Sequence, residues 1–144
     1  MKVDHIGIAV NDENKSLERY KLIFPDLNAT KLTAKDGSME IVMIHADNVK
    51  IELLRPIKED SPIGSFLKKK GEGIHHISFK TANAKDMMKK VTDLGLRALT
   101  EEPYIGAEGH LVFFMHPKDM GGVLYEFCEA ETSYSYSNDN SEEE

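Results

Sequence analysis

The chain has 144 residues, 40% of them hydrophobic and 30% charged, with a formal net charge of −7. A chain of this length can bury a core without disulfides. Its single cysteine, Cys128, excludes an intrachain disulfide. The acidic balance argues against a general nucleic-acid-binding protein, because phosphate contacts need clustered Lys and Arg. No leader pattern or apolar run of membrane-spanning length is present, so we expect a cytoplasmic protein that does not bind membranes.

The first half of the chain mixes strand and helix patterns. Alternating apolar residues predict a strand at 3–10, and Asp12 is suited to cap a helix ending near Phe24. The next predicted strands are 29–33, 39–46 and 48–54. Residues 59–72 are predicted to be a linker that contains a short helix, Ile63 to Lys70, ended by glycines. Residues 1–58 therefore form one predicted unit.

The second half follows the same order. A strand at 73–81 precedes a helix from Asn83 to Leu94. The remaining predicted strands are 96–101, 110–115 and 122–129. Residues 131–144 lack periodicity and end acidic, so we predict a disordered acidic tail there.

The two halves are an internal repeat. DHIGIAV opens the first half and HHISFKT opens the second, whereas KIELLR closes the first and LYEFCE closes the second. Each half therefore reads strand–helix–strand–strand–strand, a βαβββ module, with the second at 73–130. This order predicts an α+β fold.

Side-chain alternation along the strands places four polar residues on the face opposite the helices. The residues predicted to face the helices are Ile6, Ile8 and Val10; Val49, Ile51 and Leu53; His75, Ile77 and Phe79; and Val123, Tyr125 and Phe127. The other face then carries His5, Glu52, His76 and Glu126, with small residues beside His5. Alternation thus selects His76, not His75, as the counterpart of His5.

These four residues have the chemistry of a metal site. A carboxylate in a mostly apolar strand is costly to bury without a partner, and a divalent cation removes that cost. Two imidazoles and two carboxylates suit one Zn²⁺, Co²⁺, Mn²⁺, Fe²⁺ or Ni²⁺ and leave two positions open in an octahedral shell. A single His or Glu on a strand is more often structural or solvent-exposed. The recurrence of both types in equivalent places favours the metal.

Several motifs resemble a known family. DHIGIAV, HHISFKT and the two glutamate strands are similar to the vicinal oxygen chelate superfamily over about residues 2–130. The stretch from Lys50 to Phe79, together with EEPYIGAEG and FMHPKDMGGVLYEF, resembles the methylmalonyl-CoA epimerase family within it. The resemblance implies that the two modules form one cup-shaped mixed sheet around a single metal ion.

The resemblance also implies roles for individual residues. His5, His76 and Glu126 match the family's metal ligands, and Glu52 falls where members have Gln or Glu. Glu40 matches a carboxylate proposed as a catalytic base in some members, and Glu126, or a water, is our candidate for the second acid/base group. The implied reaction inverts C2 of an acyl-CoA substrate, methylmalonyl-CoA, through a metal-stabilised enolate. A homodimer is expected by resemblance alone.

Three alternatives remain open from the sequence. A glyoxalase-type isomerase or lyase acting on a thiohemiacetal would use a similar His and Glu ligand set. An extradiol dioxygenase would need only two His and one carboxylate, so the fourth ligand argues against it. A metal-free small-molecule-binding module of the same fold would be expected to lack a ligand, and all four are present here.

Overall fold

The computed structural model describes residues 1–130, and the predicted tail at 131–144 lies outside the described residues. It confirms the α+β class, with three helices against one curled eight-stranded sheet. In the first half the elements are β1 Val3–Ala9, α1 Glu13–Ile23, β2 Asn28–Thr33, β3 Met39–His45 and β4 Lys50–Pro56, followed by α2 Pro62–Lys70. In the second half they are β5 Gly73–Thr81, α3 Ala84–Asp93, β6 Tyr104–Ile105, β7 Leu111–Phe114 and β8 Tyr125–Glu129, with a 3₁₀ turn at Pro117–Asp119.

The strand order repeats the sequence symmetry. The order across the sheet is β2-β3-β4-β1-β5-β8-β7-β6. The first strand of each module pairs in parallel with the last strand of the same module, β1 with β4 and β5 with β8. The two modules join where β1 and β5 pair antiparallel at the centre. The central strands β4, β1, β5 and β8 are those that carry the four candidate ligands.

Helices α1 and α3 pack on the convex face of the sheet, as the alternation predicts, whereas Ile63 of α2 packs with Ile41 and Leu54 on the concave side. Asp12, Ser61 and Asn83 cap α1, α2 and α3 by accepting hydrogen bonds from backbone N–H groups in the first turn. Two apolar clusters anchor the helices: Leu17 of α1 packs with Val10, Val42, Ile44 and Leu53, and Ala84, Met88 and Val91 of α3 pack with Phe113 and Met115. The rest of the concave face is thereby left free for a site.

One predicted strand in the second half is absent, and another begins later than predicted. Residues 96–101 do not form a strand, and only an isolated bridge joins Ala98 to Met115. The strand that pairs with β7 is instead the two-residue β6. The last strand begins at Tyr125 rather than at 122, because Gly121 and Gly122 have φ of 69° and 85°, which extended strands do not adopt.

The module boundaries at 58, 72 and 130 stay predictions, although the elements fall in the predicted order within them. Within residues 1–130, none of the three helices combines the length and the apolar character that crossing a membrane requires.

Candidate metal centre

Strand register brings the candidate ligands to the floor of the cup. In one row Gly7 of β1 lies between Glu52 of β4 and His76 of β5. In the adjoining row Ser78 of β5 lies between His5 and Glu126. Neighbouring strands are about 4.8 Å apart, so a small residue between two longer ones allows both side chains to lean over it and meet.

Three of the four predicted ligands meet closely. The Nε2 atoms of His5 and His76 are 3.1 Å apart, and Glu126 Oε1 lies 3.4 Å from His5 Nε2. Ligand atoms that each lie about 2.0–2.1 Å from one ion are separated by roughly 3 Å. One nitrogen of each imidazole and one carboxylate oxygen, all within 4.8 Å of one another, therefore have the spacing of a shared metal ion.

Glu52 approaches the same histidine from its other side. Its Oε2 lies 3.1 Å from His5 Nδ1, and it forms a second group with His5 and Asp4. Glu52 is only 3% exposed, yet Oε2 makes no hydrogen bond within residues 1–130. A buried carboxylate oxygen without a donor costs free energy that a cation would recover.

Asp4 orients His5 through a bulge in β1. The pairing of β1 with β5 skips Asp4, so this residue is extra in its strand and its side chain can turn beside that of His5. Asp4 Oδ2 accepts a hydrogen bond of 2.7 Å from His5 Nδ1. A carboxylate on one ring nitrogen fixes the tautomer that leaves the other nitrogen free to bind metal.

His75 occupies the equivalent position in the second half. The pairing of β5 with β1 skips His75, and its Nδ1 lies 2.9 Å from His76 Nδ1. The prediction that His75 faces the helices is wrong, because the bulge interrupts the alternation and turns the ring toward the cavity. With His76 as donor and His75 as acceptor, His76 Nε2 is left unprotonated.

Burial dominates the electrostatics of the four residues. It raises the pKa of Glu52 to about 8, against the opposing charge of His5, and it raises the pKa of Glu126 in the same way. Burial lowers the pKa of His76 to about 3, so that imidazole is neutral. Burial would also lower the pKa of His5, but Asp4 and the carboxylates of Glu52 and Glu126 outweigh it and raise that pKa. Without a metal only His76 is held in the form that binds a divalent ion, and metal binding would displace protons from the other three residues.

A cavity of about 280 Å³ opens above this floor. Its wall is largely apolar and includes Met39, Ile41, Leu54, Ile63, Ile105 and Phe114. A few polar groups in a mostly apolar concave site are typical of small-molecule pockets. The cavity therefore suits a small acyl group that has a polar end directed at the floor.

Glu40, the predicted base, is not brought to this cavity. It pairs with Arg55 on β4, next to the pair of Val42 and Leu53 that packs under α1, so it lies on the convex face. Both carboxylate oxygens accept from Thr33 Oγ1 at 3.0 Å. The cavity takes Met39 and Ile41 from this strand instead. In this structure Glu40 therefore does not line the cup, and its role as the base stays a prediction.

Two residues at the site were missed by the sequence reasoning. Asp4 adjoins a predicted ligand, and a signal for it was available, because carboxylates often support metal-binding histidines. Glu108 lines the cavity from the connection between β6 and β7. Nothing in the local sequence marks it, because only the folding of that connection over the cup brings it near the floor.

Comparison with known proteins decides the family. The sequence profile of the Glyoxalase/Bleomycin resistance protein/Dioxygenase superfamily matches residues 4–114. The chain is 38% identical over 130 residues to the methylmalonyl-CoA epimerase, mitochondrial, of Homo sapiens, covering 90% of this chain and 74% of that relative. The chain belongs to the methylmalonyl-CoA epimerase family of this superfamily.

Two further relatives agree with this membership in the methylmalonyl-CoA epimerase family. The ethylmalonyl-CoA/methylmalonyl-CoA epimerase of Cereibacter sphaeroides is 35% identical over 127 residues, covering 87% of this chain and 95% of that protein. A solved structure of a Streptomyces coelicolor methylmalonyl-CoA epimerase variant, in complex with 2-nitronate-propionyl-CoA, superposes with a TM-score of 0.81 at 33% identity, covering 92% of this chain and 99% of that one. The likeness therefore extends over nearly the whole described chain.

Proposed function

We propose that this protein is an isomerase, a metal-dependent methylmalonyl-CoA epimerase that inverts C2 of its acyl-CoA substrate. The observation that carries the proposal is the meeting of His5, His76 and Glu126 at the floor of an apolar cavity. Relatives named for this activity match most of the chain. The group around C2 is small and carries a carboxylate, which suits a cavity with apolar walls and a cationic floor.

His5, His76 and Glu126 are the proposed metal ligands, with Glu52 as the fourth. The donor set fits a divalent ion, because it pairs two imidazoles with two carboxylates and one buried Glu52 oxygen lacks a hydrogen-bond donor within residues 1–130. A bound metal ion would act as a Lewis acid that stabilises the negative charge developing on the thioester oxygen. The identity of the metal, among Co, Mn, Zn, Ni and Fe, is left to measurement.

The residues of the chain have distinct tasks in this scheme. Asp4 and His75 hold the imidazoles of His5 and His76 in place. The apolar wall excludes water from the carbanion-like intermediate and holds the methyl group. Inversion requires that one group removes the C2 proton from one face and another returns a proton to the opposite face. Glu126, where its carboxylate is not fully engaged by metal, is our candidate for one of these groups.

A solvent-exchange experiment tests the proposal. Protein loaded with Co²⁺ is incubated in deuterated water with a single methylmalonyl-CoA epimer. The expected result is that deuterium enters C2 as the epimers mix, since the removed proton exchanges with solvent. The matched variant is His76→Ala, which removes a proposed ligand and is expected to abolish both signals.

The same assay separates the alternatives. A glyoxalase-type enzyme would leave both epimers unmixed and turn over a glutathione hemithioacetal. A metal-free binding module would show neither reaction and no Co²⁺ binding. Either result would contradict the epimerase proposal.

Two other expectations, a cytoplasmic location and a homodimer, are also proposals. The single free Cys128 is buried and fits a reducing compartment, although the human relative is named mitochondrial. Cell fractionation tests the location. Sedimentation equilibrium tests the dimer, and a mass equal to one chain would contradict it.

A further inference from the structure

The connection between β6 and β7, residues 106–110, lines the cavity above the proposed metal-binding floor. Its turn is closed by hydrogen bonds of 2.8 Å from Gly106 N to His110 O and 3.0 Å from Gly109 N to Gly106 O. Lys35 N donates a 3.1 Å hydrogen bond to Ala107 O, which ties the connection to the first module. Glu108, in the middle of this connection, is therefore held by backbone contacts on both sides.

One oxygen of the Glu108 carboxylate is without a hydrogen-bond partner among the described residues. This oxygen, Oε1, is also inaccessible to solvent. The side chain lines the same cavity as Glu52 and Glu126, and its charge raises the pKa of both, so it lies near them. Withdrawing a carboxylate oxygen from water without a partner costs free energy. That cost points to a role that appears only when substrate is present.

The other carboxylates that line the cavity are already engaged. Glu52 and Glu126 are proposed metal ligands, and Asp36 accepts a 2.9 Å hydrogen bond from Ser38 N at the rim. Glu40 faces away on the convex side. Within residues 1–130, Glu108 is thus the one cavity-lining carboxylate that neither belongs to the proposed ligand set nor accepts a hydrogen bond.

We propose that Glu108 is one of the two proton-transferring groups of the epimerisation, acting on one face of C2. This inference rests on the proposed function. For one epimer an O–H bond forms on Glu108 as the C2–H bond breaks, and the electron pair moves into a C2–C1 double bond with the charge on the thioester oxygen. The second group then delivers a proton to the other face. For the other epimer the order reverses, and protonated Glu108 returns its proton to C2.

The test is Glu108→Gln, with Glu102→Gln as the matched control on an exposed glutamate before β6. Each Co²⁺-loaded protein is given each pure epimer in deuterated water, and deuterium incorporation and epimer ratio are followed separately. Glu108→Gln is expected to slow inversion about 10²–10⁴-fold. Glu108→Gln should still incorporate deuterium into the epimer whose C2 proton faces the second acid/base group. It should not incorporate deuterium into the epimer whose C2 proton faces residue 108. Glu102→Gln should match wild type with both epimers.

Two further measurements distinguish a lost proton-transfer group from a misfolded or metal-free variant. Circular dichroism and Co²⁺ titration of Glu108→Gln are expected to match wild type, since the side chain lies outside the proposed ligand set. Inversion within threefold of wild type, or equal loss of exchange from both epimers, would overturn the role of Glu108. If wild type itself neither mixes the epimers nor exchanges deuterium, the proposed function fails, and the role of Glu108 fails with it.

Discussion

Asp4 and His75 occupy equivalent bulges on β1 and β5, and each contacts the Nδ1 atom of the histidine that follows it. The distances are 2.7 Å to His5 and 2.9 Å to His76. A bulge turns one extra residue out of the alternation, so two consecutive side chains can both serve the site. The internal repeat has therefore preserved a pair of a supporting residue and a ligand in each module, although the supporting residues differ chemically.

Asp4→Asn is expected to weaken Co²⁺ binding by about 10- to 100-fold, the usual effect of losing a supporting partner of a metal ligand. The amide oxygen of Asn can still accept a hydrogen bond from His5 Nδ1. It lacks the negative charge that keeps the proton on Nδ1 and that attracts Lys50 Nζ, 3.5 Å from Asp4 Oδ2. Titration calorimetry with Co²⁺ measures the change. Asp47→Asn, an exposed site in the turn between β3 and β4, is the control and should leave the affinity unchanged.

His75→Phe is expected to weaken Co²⁺ binding by a similar factor, about 10- to 100-fold. Phenylalanine keeps the size of the side chain and its edge contact with Phe66, whose ring centroid is 5.2 Å away. It removes the acceptor for His76, so the His76 ring is free to adopt the wrong tautomer. His45→Phe, at an exposed position near Thr30, is the control. Unchanged Co²⁺ affinity in His75→Phe would show that the contact with His76 is incidental.

Gly7→Ala is expected to lower both metal affinity and stability. A Cβ atom on Gly7 would lie 2.7 Å from His76 Nδ1, well inside contact distance, so the imidazole would have to move off the site. Overpacking of this kind costs about 1–3 kcal/mol. Gly73→Ala on β5 is the control, because a Cβ there meets nothing within 4 Å. Urea unfolding and Co²⁺ titration of both variants check the expectation.

The metal-free protein is expected to lose stability as the pH rises through the neutral range. Burial raises the pKa of Glu52 from 4.5, its value in an unfolded chain, to about 8 in the folded protein. The folded state therefore holds this proton more tightly than the unfolded state does. The resulting contribution to stability is complete below pH 4.5 and is lost as the pH rises through about 8. Glu52→Gln, which stays neutral, should flatten this part of the profile. Urea unfolding of the metal-free proteins at several pH values measures it. A parallel decline in the variant would mean that Glu52 is not the group responsible.

Chelation is expected to abolish epimerisation and to lower the melting temperature, with both restored by a divalent ion. A ligand present at 100 times its dissociation constant stabilises a folded protein by about 2.7 kcal/mol. The thermal shift on adding Co²⁺ should vanish in His76→Ala and persist in Glu52→Gln, since Gln is also an oxygen ligand. A Co²⁺ shift that survives in His76→Ala would place the metal elsewhere.

Local sequence determined the order of the elements and the face of the sheet on which most of the candidate ligands lie. Period-two patterns, caps such as Asp12 and Asn83, and the internal repeat were enough for the element order and for the face that carries His5 and His76. These signals are short-range, because side-chain alternation and helix capping depend on neighbours along the chain. They failed at residues 96–101, where pairing with a distant strand, rather than propensity, decides whether a strand forms.

Only the tertiary structure decided the details that depend on register. Alternation by itself places His75 toward the helices, whereas the unpaired extra residue in β5 turns it to the cavity. Glu40 could be assigned a face only once its pairing with Arg55 was known. Glu108 comes near the floor because a backbone hydrogen bond from Lys35 joins two segments distant in sequence. The sequence thus determined which residues could form a metal site, and packing between the modules decided what surrounds it.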